Sequence, residues 1–498
     1  MRALGLVVVL AGTAWARPAP PIAIGHAPAP GQVRTLTGQT LFLNKCEGGC
    51  MVKPGVDNAS TDTSELTATA ALLPEFAWQA GEWEAIVRCV KEVYSPYNVV
   101  VTDTRPAGEV YNEVIVAGGA SDLGEFSSCG VAFVNNDCSP RTNAVSFAFV
   151  DGAVAGDSGC YRGYTMEEDG NSVFAMCWII AQESAHTYGL DHAFGTFDSG
   201  QSTCNDPMTY SGACGGQKFF RNDFAACNGN DGKKKPGCGP ADTCATRQNA
   251  HLKLLDVLGP GTPITAKPVA MVTAPAAGTT VAAGASVVAT ASAQRGVARV
   301  ELWINGYKWG DMKGVAFGPD GQPAASYAVA IPSRVPDSTL DIVMKAFDDI
   351  DIEGDSQTVT VTKGKAGGCD PSVANPDGTI DTCLKGMQCT AGRCAWTDAG
   401  QGAFGDACTY DEFCTTNLAC GGTATETICT HDCDPAITDP CPMGYVCTVG
   451  AGATSGVCFL PQAAGCCSAD AGPVGPACLA VVTFAALGGR RRRRRRIE

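Results

Sequence analysis

The stretch Gln182-Glu183-Ser184-Ala185-His186-Thr187-Tyr188-Gly189-Leu190-Asp191-His192 decides how this chain is read. It closes an apolar run, Ser172 to Tyr188, that carries Val173, Phe174, Ile179 and Ile180 and predicts a buried helix. On such a helix positions 182 and 186 lie one turn apart on the same face. Side chains there can grip one cation, and Glu183 stands beside them, displaced around the helix. Gly189 lets the chain leave the helix in a left-handed conformation, so that His192 can swing back toward the same point. This spacing requires particular side chains and a particular backbone, and is more specific than a lone pair of histidines.

Upstream, Ala80 to Tyr94 places Trp83, Ile86, Val87, Val90 and Val93 at helical spacing, and Ser95-Pro96 stops that helix. Asn98 to Thr102 and Glu113 to Ala117 read as buried strands, and the alternation of Asn143 to Val150 predicts a sheet-edge strand. Downstream, composition changes after Leu258-Gly259-Pro260-Gly261. Residues 265–363 are rich in Val, Ala and Thr, and Val297 to Ile304 followed by Asn305-Gly306 predicts a strand entering a hairpin.

The chain has 498 residues, enough for about three domains, and 27 cysteines. Twelve cysteines fall between Cys46 and Cys244, twelve between Cys369 and Cys458, and Cys466, Cys467 and Cys478 lie in the tail. The stretch 245–368 has none, so it must stand on its apolar core. The two even sets can each close internally, with pairings that spacing does not fix. In 369–460 a C-x5-C spacing recurs at Cys383/Cys389, Cys408/Cys414, Cys414/Cys420 and Cys441/Cys447, with few large apolar residues, so disulfides must replace a core there.

Both ends read as addresses. Arg2, the apolar run Leu4 to Ala11 and Ala14-Trp15-Ala16 have the order of a signal peptide, 1–16, and so many cysteines agree with export. Residues 17–45 form a Pro- and Ala-rich lead-in or short propeptide. At the other end, Pro473 to Gly489 is apolar and uncharged, long enough for a transmembrane segment, and Arg490–Arg496 follow it. The formal charge is −15 even with those arginines, so the remainder is more acidic still. That balance disfavours nucleic acid and anionic lipid as partners. Asn58-Ala59-Ser60 matches a glycosylation sequon.

The 182–192 stretch resembles the metzincin zinc-peptidase signature H-E-x-x-H-x-x-G-x-x-H with glutamine in place of the first histidine. Asp206-Pro207-Met208-Thr209-Tyr210 is similar to the Met-turn of that family. The resemblance implies an α+β metallopeptidase domain over 46–260, with a mixed sheet and an active-site helix. It implies Zn²⁺ as cofactor with Gln182, His186 and His192 as ligands, Met208 packed beneath the metal, Glu183 as general base, and Tyr210 facing the metal or the oxyanion. Glutamine is a poorer zinc donor than imidazole. Gln182 therefore ligates weakly, or another group supplies the third ligand, or the site stays empty. Outside the motif, His26, His251 and His431 are the remaining histidines, and Cys177 fits a buried disulfide or core thiol better than a thiolate ligand.

Residues 265–363 resemble bacterial immunoglobulin-like β-sandwiches. Residues 465–498, beginning Gly465-Cys466-Cys467-Ser468, resemble the myxobacterial C-terminal sorting tail (MYXO-CTERM). The expected protein is thus multidomain: metzincin-like domain, Ig-like sandwich, a small Cys-rich region at 369–460 and a tail anchoring it to the cell envelope. Its expected activity is hydrolysis of extracellular protein or peptide substrates at the cell surface. The alternative is a catalytically inactive metzincin-like scaffold on an adhesion or binding protein.

Overall fold

The computed structural model describes residues 40–78, 81–108, 110–124, 128–135, 138–151, 171–210, 216–227, 247–314, 324–384 and 387–396, and shorter runs between 402 and 459. The expected signal peptide at 1–16, His26, most of the lead-in 17–45 and the sorting tail 465–498 lie outside them. No helix among the described residues is long and apolar enough to cross a membrane.

The N-terminal region runs β1 (Thr40–Asn44), β2 (Cys50–Pro54), β3 (Thr63–Ser64), β4 (Ala71–Leu73), α1 (Glu82–Tyr94), β5 (Val100–Thr102), β6 (Asn112–Val116), α2 (Ala120–Leu123), β7 (Gly130–Val131), β8 (Val145–Ala148), α3 (Asn171–Thr187), β9 (Phe224–Ala226), β10 (Arg247–Asn249) and α4 (Ala250–Leu258). Its main sheet has the order β5-β1-β6-β8-β7. The first four strands are parallel and β7 is antiparallel to β8.

Parallel strands are buried on both faces, and the period of two sends alternate residues to opposite cores. Leu41, Leu43, Val114, Val116 and Ala148 join the core under α1 and α3. Phe42, Ile115, Val145 and Phe147 join a second core with Val52, Ala71 and Leu73 from the small sheet β3-β2-β4. Helix α1 turns Trp83, Ile86, Val87, Val90 and Val93 inward, and Cys89–Cys177 ties it to α3. Helix α3 is apolar around its circumference, which marks a helix enclosed on all sides.

One expectation fails here. The segment 143–150 does not form the edge: β8 is interior, flanked by β6 and β7. The edge is β7, two residues long and so too short for any periodicity to reveal.

The next region contains β11 (Val269–Ala274), β12 (Thr280–Val281), β13 (Ser286–Ser292), β14 (Arg299–Ile304), β15 (Tyr307–Lys313), β16 (Ala325–Ala330), β17 (Thr339–Phe347), β18 (Glu353–Asp355) and β19 (Val359–Lys363). They form one sheet of order β11-β13-β16 and another of order β12-β19-β17-β14-β15, with β18 on β17. Between β14 and β15, Asn305 and Gly306 have φ of 50° and 85°, the left-handed pair of a type I′ hairpin turn.

The last region contains β20 (Met387–Thr390), β21 (Arg393–Trp396), β22 (Ala419–Gly422), β23 (Thr427–Thr430), β24 (Asp432–Cys433), β25 (Val446–Val449) and β26 (Gly456–Phe459). Its cysteines fall into three successive groups of four, each joined first to third and second to fourth. These are Cys369–Cys389 with Cys383–Cys394, Cys408–Cys420 with Cys414–Cys429, and Cys433–Cys447 with Cys441–Cys458. In every group the third and fourth cysteines face each other across a hairpin: Cys389↔Cys394, Cys420↔Cys429, Cys447↔Cys458. The recurring spacing thus marks three tandem modules of one design.

The sandwich does not stand on its own core alone. Its apolar interior continues onto Cys369, Met387 and Trp396 of the first cysteine module. The Trp396 ring packs on Tyr307 and Trp309, 4.4 and 5.8 Å between centroids. Arg393 grips Asp341 with two nitrogens at 2.6 and 3.1 Å.

Candidate metal centre

Helix α3 delivers Gln182, Glu183 and His186 as buried polar side chains at the end of an apolar helix. The chain then leaves through Gly189, whose φ is +86° and whose added Cβ would meet the Cys138 carbonyl oxygen. Beyond it Leu190 returns its carbonyl oxygen to His186 Nδ1 at 2.8 Å. A carbonyl only accepts, so Nδ1 carries the proton and Nε2 keeps its lone pair. Burial, with His192 adding to it, holds the His186 imidazole down at about 3, so it stays neutral.

His192 brings its Nε2 to 3.1 Å from Nε2 of His186. Two nitrogens each about 2.0–2.1 Å from one tetrahedral zinc ion stand roughly 3.3 Å apart. On its other side, His192 Nδ1 lies 3.0 Å from the Tyr210 hydroxyl and 3.5 Å from Asp191 Oδ1. Asp191 Oδ1 also accepts the His192 backbone N–H at 2.7 Å. The Tyr210 ring lies 4.0 Å from the His192 ring. The sequence resemblance put Tyr210 on the metal or the oxyanion; here its hydroxyl meets the nitrogen turned away from His186.

Glu183 is 6 % exposed, and its carboxyl makes no hydrogen bond to the described residues. Burial pushes its carboxyl up to about 8. A carboxyl so placed is poised for a nearby cation, which would draw it back to the charged form. Room for it comes from Gly130 on β7: a Cβ there would come within 2.6 Å of Glu183 Cγ and 2.7 Å of the Phe147 carbonyl oxygen.

Met208 is fully buried, in a turn fastened from several sides. Its N–H donates to Asp206 Oδ1 at 2.8 Å and its carbonyl accepts from Ala193 N at 2.7 Å. Gln182 Nε2 donates to Pro207 O and to Thr209 O, both at 3.0 Å. Flipping that amide would set its oxygen against two carbonyls, so its orientation is fixed by chemistry. Both amide hydrogens are spent on the turn, and Oε1 is the atom left to meet an ion.

Two contributors escaped the sequence reading. Trp178, one turn before Gln182, donates Nε1–H to Pro207 O at 2.8 Å; its i, i+4 spacing from Gln182 was the available signal. Gly130 gave none, since a lone glycine does not announce what it faces. His251 lies elsewhere, in α4, where its Nδ1 is 3.0 Å from the Tyr97 hydroxyl. His431 lies in the cysteine-rich region, near Cys458.

Among the described residues, three groups of cysteines also stand close enough for a metal ion: Cys369, Cys383 and Cys394; Cys408, Cys414 and Cys429; Cys433, Cys441 and Cys458. All are in disulfides, and an oxidised sulfur is not a thiolate ligand.

Comparison with known proteins reaches the middle of the chain. A bacterial Ig domain family matches residues 268–361, so the sandwich is an Ig-like domain. Among solved structures, the fibronectin(III)-like modules of Clostridium thermocellum CbhA align with 19% of this chain and 94% of theirs, at 13% identity and a TM-score of 0.15. No curated protein matches the chain.

Proposed function

We propose that residues 46–260 form a metzincin-like zinc peptidase domain, carried outside the cell on a protein whose Ig-like and cysteine-rich regions position it or recognise its substrate. The observation that carries this reading is the meeting of the His186 and His192 Nε2 atoms at 3.1 Å, with the buried carboxyl of Glu183 on the same helix as His186. His186 and His192 would hold the ion, with Gln182 Oε1 as third donor. When bound, zinc supplies Lewis acidity to water and to the scissile carbonyl.

The chain's own groups do the rest. Leu190 O fixes the His186 tautomer, and Tyr210 braces His192 from its far nitrogen. Met208 closes the floor. Glu183 takes a proton from the attacking water and hands it to the leaving amine. The substrate class is extracellular protein or peptide, and an export signal with a C-terminal sorting tail would set the location.

One observation favours a second reading, an inactive scaffold. Gln182 gives both amide hydrogens to the turn, as a strut between helix and loop would. Metal content of the purified full chain separates the two. Near-stoichiometric zinc, with chelator-sensitive peptide cleavage, supports the peptidase. Zinc below about a tenth of an equivalent after dialysis against zinc buffer, with no cleavage, leaves the scaffold.

A further inference from the structure

We propose that the Ig-like sandwich is a working part of the metal pocket: Arg295 and Asp349 are positioning residues that hold the Met208 turn in place through Arg221 and Asp206. This rests on reading residues 182–210 as a metal pocket.

The two residues come from neighbouring sandwich loops, one after β13 and one after β17. Arg295 is 1 % exposed. Its Nε donates to Asp349 Oδ1 at 2.7 Å and one terminal nitrogen to Asp349 Oδ2 at 2.9 Å. That nitrogen also donates to the Phe220 carbonyl at 2.8 Å, and Asp349 Oδ2 accepts from Asn222 N at 3.1 Å. The pair thus grips the backbone on both sides of Arg221.

Arg221, fully buried, reaches back to the Arg295 carbonyl oxygen. Its Nε donates to Asn205 O at 3.3 Å, and its own N–H donates to Asp206 Oδ2 at 2.8 Å. The other oxygen of that carboxylate takes the Met208 N–H at 2.8 Å. Hydrogen bonds therefore link the sandwich, through Arg221 and Asp206, to the Met208 turn. Pro207 and Thr209, flanking Met208, are the residues that fix Gln182.

Buried guanidinium and carboxylate groups are costly to take from water, and breaking such a pair leaves a charge uncompensated. A flexible tether between independent modules has no need of them. They are in place where one domain must hold another in register.

The test uses the full chain with Asp349→Asn, which removes the charge and keeps the shape, and Arg295→Lys as a second variant should the first fail to fold. Asp341→Asn, which loosens the sandwich from the cysteine module instead, is the control. Amide hydrogen exchange reads the coupling with or without metal. Protection at the Met208 amide should fall at least tenfold in Asp349→Asn and stay unchanged in the control. Zinc affinity, measured by chelator competition, should fall at least tenfold in the same variant while circular dichroism remains native. Unchanged Met208 protection in a folded variant overturns the coupling. Lost protection with unchanged zinc affinity overturns the role in the pocket. Wild-type protein that binds no zinc sinks the peptidase reading, and exchange then judges the coupling by itself.

Discussion

Helix α3 lies in a continuous core of leucine, valine, isoleucine and aromatic side chains, whereas the second cysteine module has Cys408, Cys414 and Cys429 for its buried centre, with Phe413 and Leu418 against them. The first region has apolar burial to spare, and it can enclose groups that oppose folding: a carboxyl without hydrogen bonds to the described residues and two facing imidazoles. The second has no such reserve, and its order is covalent. Chemistry that needs desolvated polar groups therefore belongs to the first region, and geometry fixed against denaturation belongs to the second.

The largest expected effect tests the first half of that contrast. Glu183→Ala should lower peptide cleavage by about 10²–10⁴-fold, the usual weight of a general base, while zinc stays bound. It should also leave thermal stability equal or higher, because the buried carboxyl has no hydrogen-bond partner among the described residues to lose. Cleavage at the wild-type rate would remove Glu183 from the mechanism.

For the covalent half, Cys414→Ser combined with Cys429→Ser should cost about 3 kcal/mol. Loss should be confined to the second module, seen as exchange across β22 and β23 with unchanged zinc content. A global fall in melting temperature would refute the separation of the two regions.

Acid should discriminate them as well. Burial lowers the His251 imidazole from 6.5 to about 4, so the unfolded chain takes up that proton first. Its contribution is complete above the unfolded pKa near 6.5 and drains away as pH falls toward 4, on the order of 3 kcal/mol. Urea unfolding at several pH values should show this for the N-terminal region, and His251→Gln should flatten the slope.

Two smaller effects sharpen the picture of the site. Gly130→Ala drives a methyl into Glu183 and the Phe147 carbonyl, and should cost about 1–3 kcal/mol while weakening cleavage. Trp178→Phe removes one of the donors on Pro207 O and should cost about 1 kcal/mol by denaturant titration.

Legibility in the sequence followed the range of the interactions. Helix α1 was readable because Trp83, Ile86, Val87, Val90 and Val93 repeat with the helical period. The Asn305-Gly306 turn was readable because few residues accept its backbone angles. The cysteine modules were half legible: the C-x5-C spacing announced a repeat, but the first-to-third, second-to-fourth pairing required the hairpins. The two-residue strand β7 is too short to leave a periodic pattern, and without it the 143–150 alternation reads as an edge. At the site, the ligand-type residues could be listed, but the direction of the Gln182 amide depends on carbonyls at Pro207 and Thr209, far along the chain.

By itself, the sequence determined everything set by periodicity and spacing. That includes the helix bearing Gln182, Glu183 and His186, the glycine exit toward His192, a cysteine-free β region and a cysteine-dense one. Those features depend on residues a turn or a hairpin apart, whose geometry the backbone dictates. Only the tertiary structure decided that Arg295 and Asp349 reach across to the 220–222 backbone, that Trp396 completes the sandwich core, and that Gly130 makes room for Glu183. Such contacts join residues tens of positions apart. Their energy comes from desolvation and packing at a meeting point that no local pattern encodes.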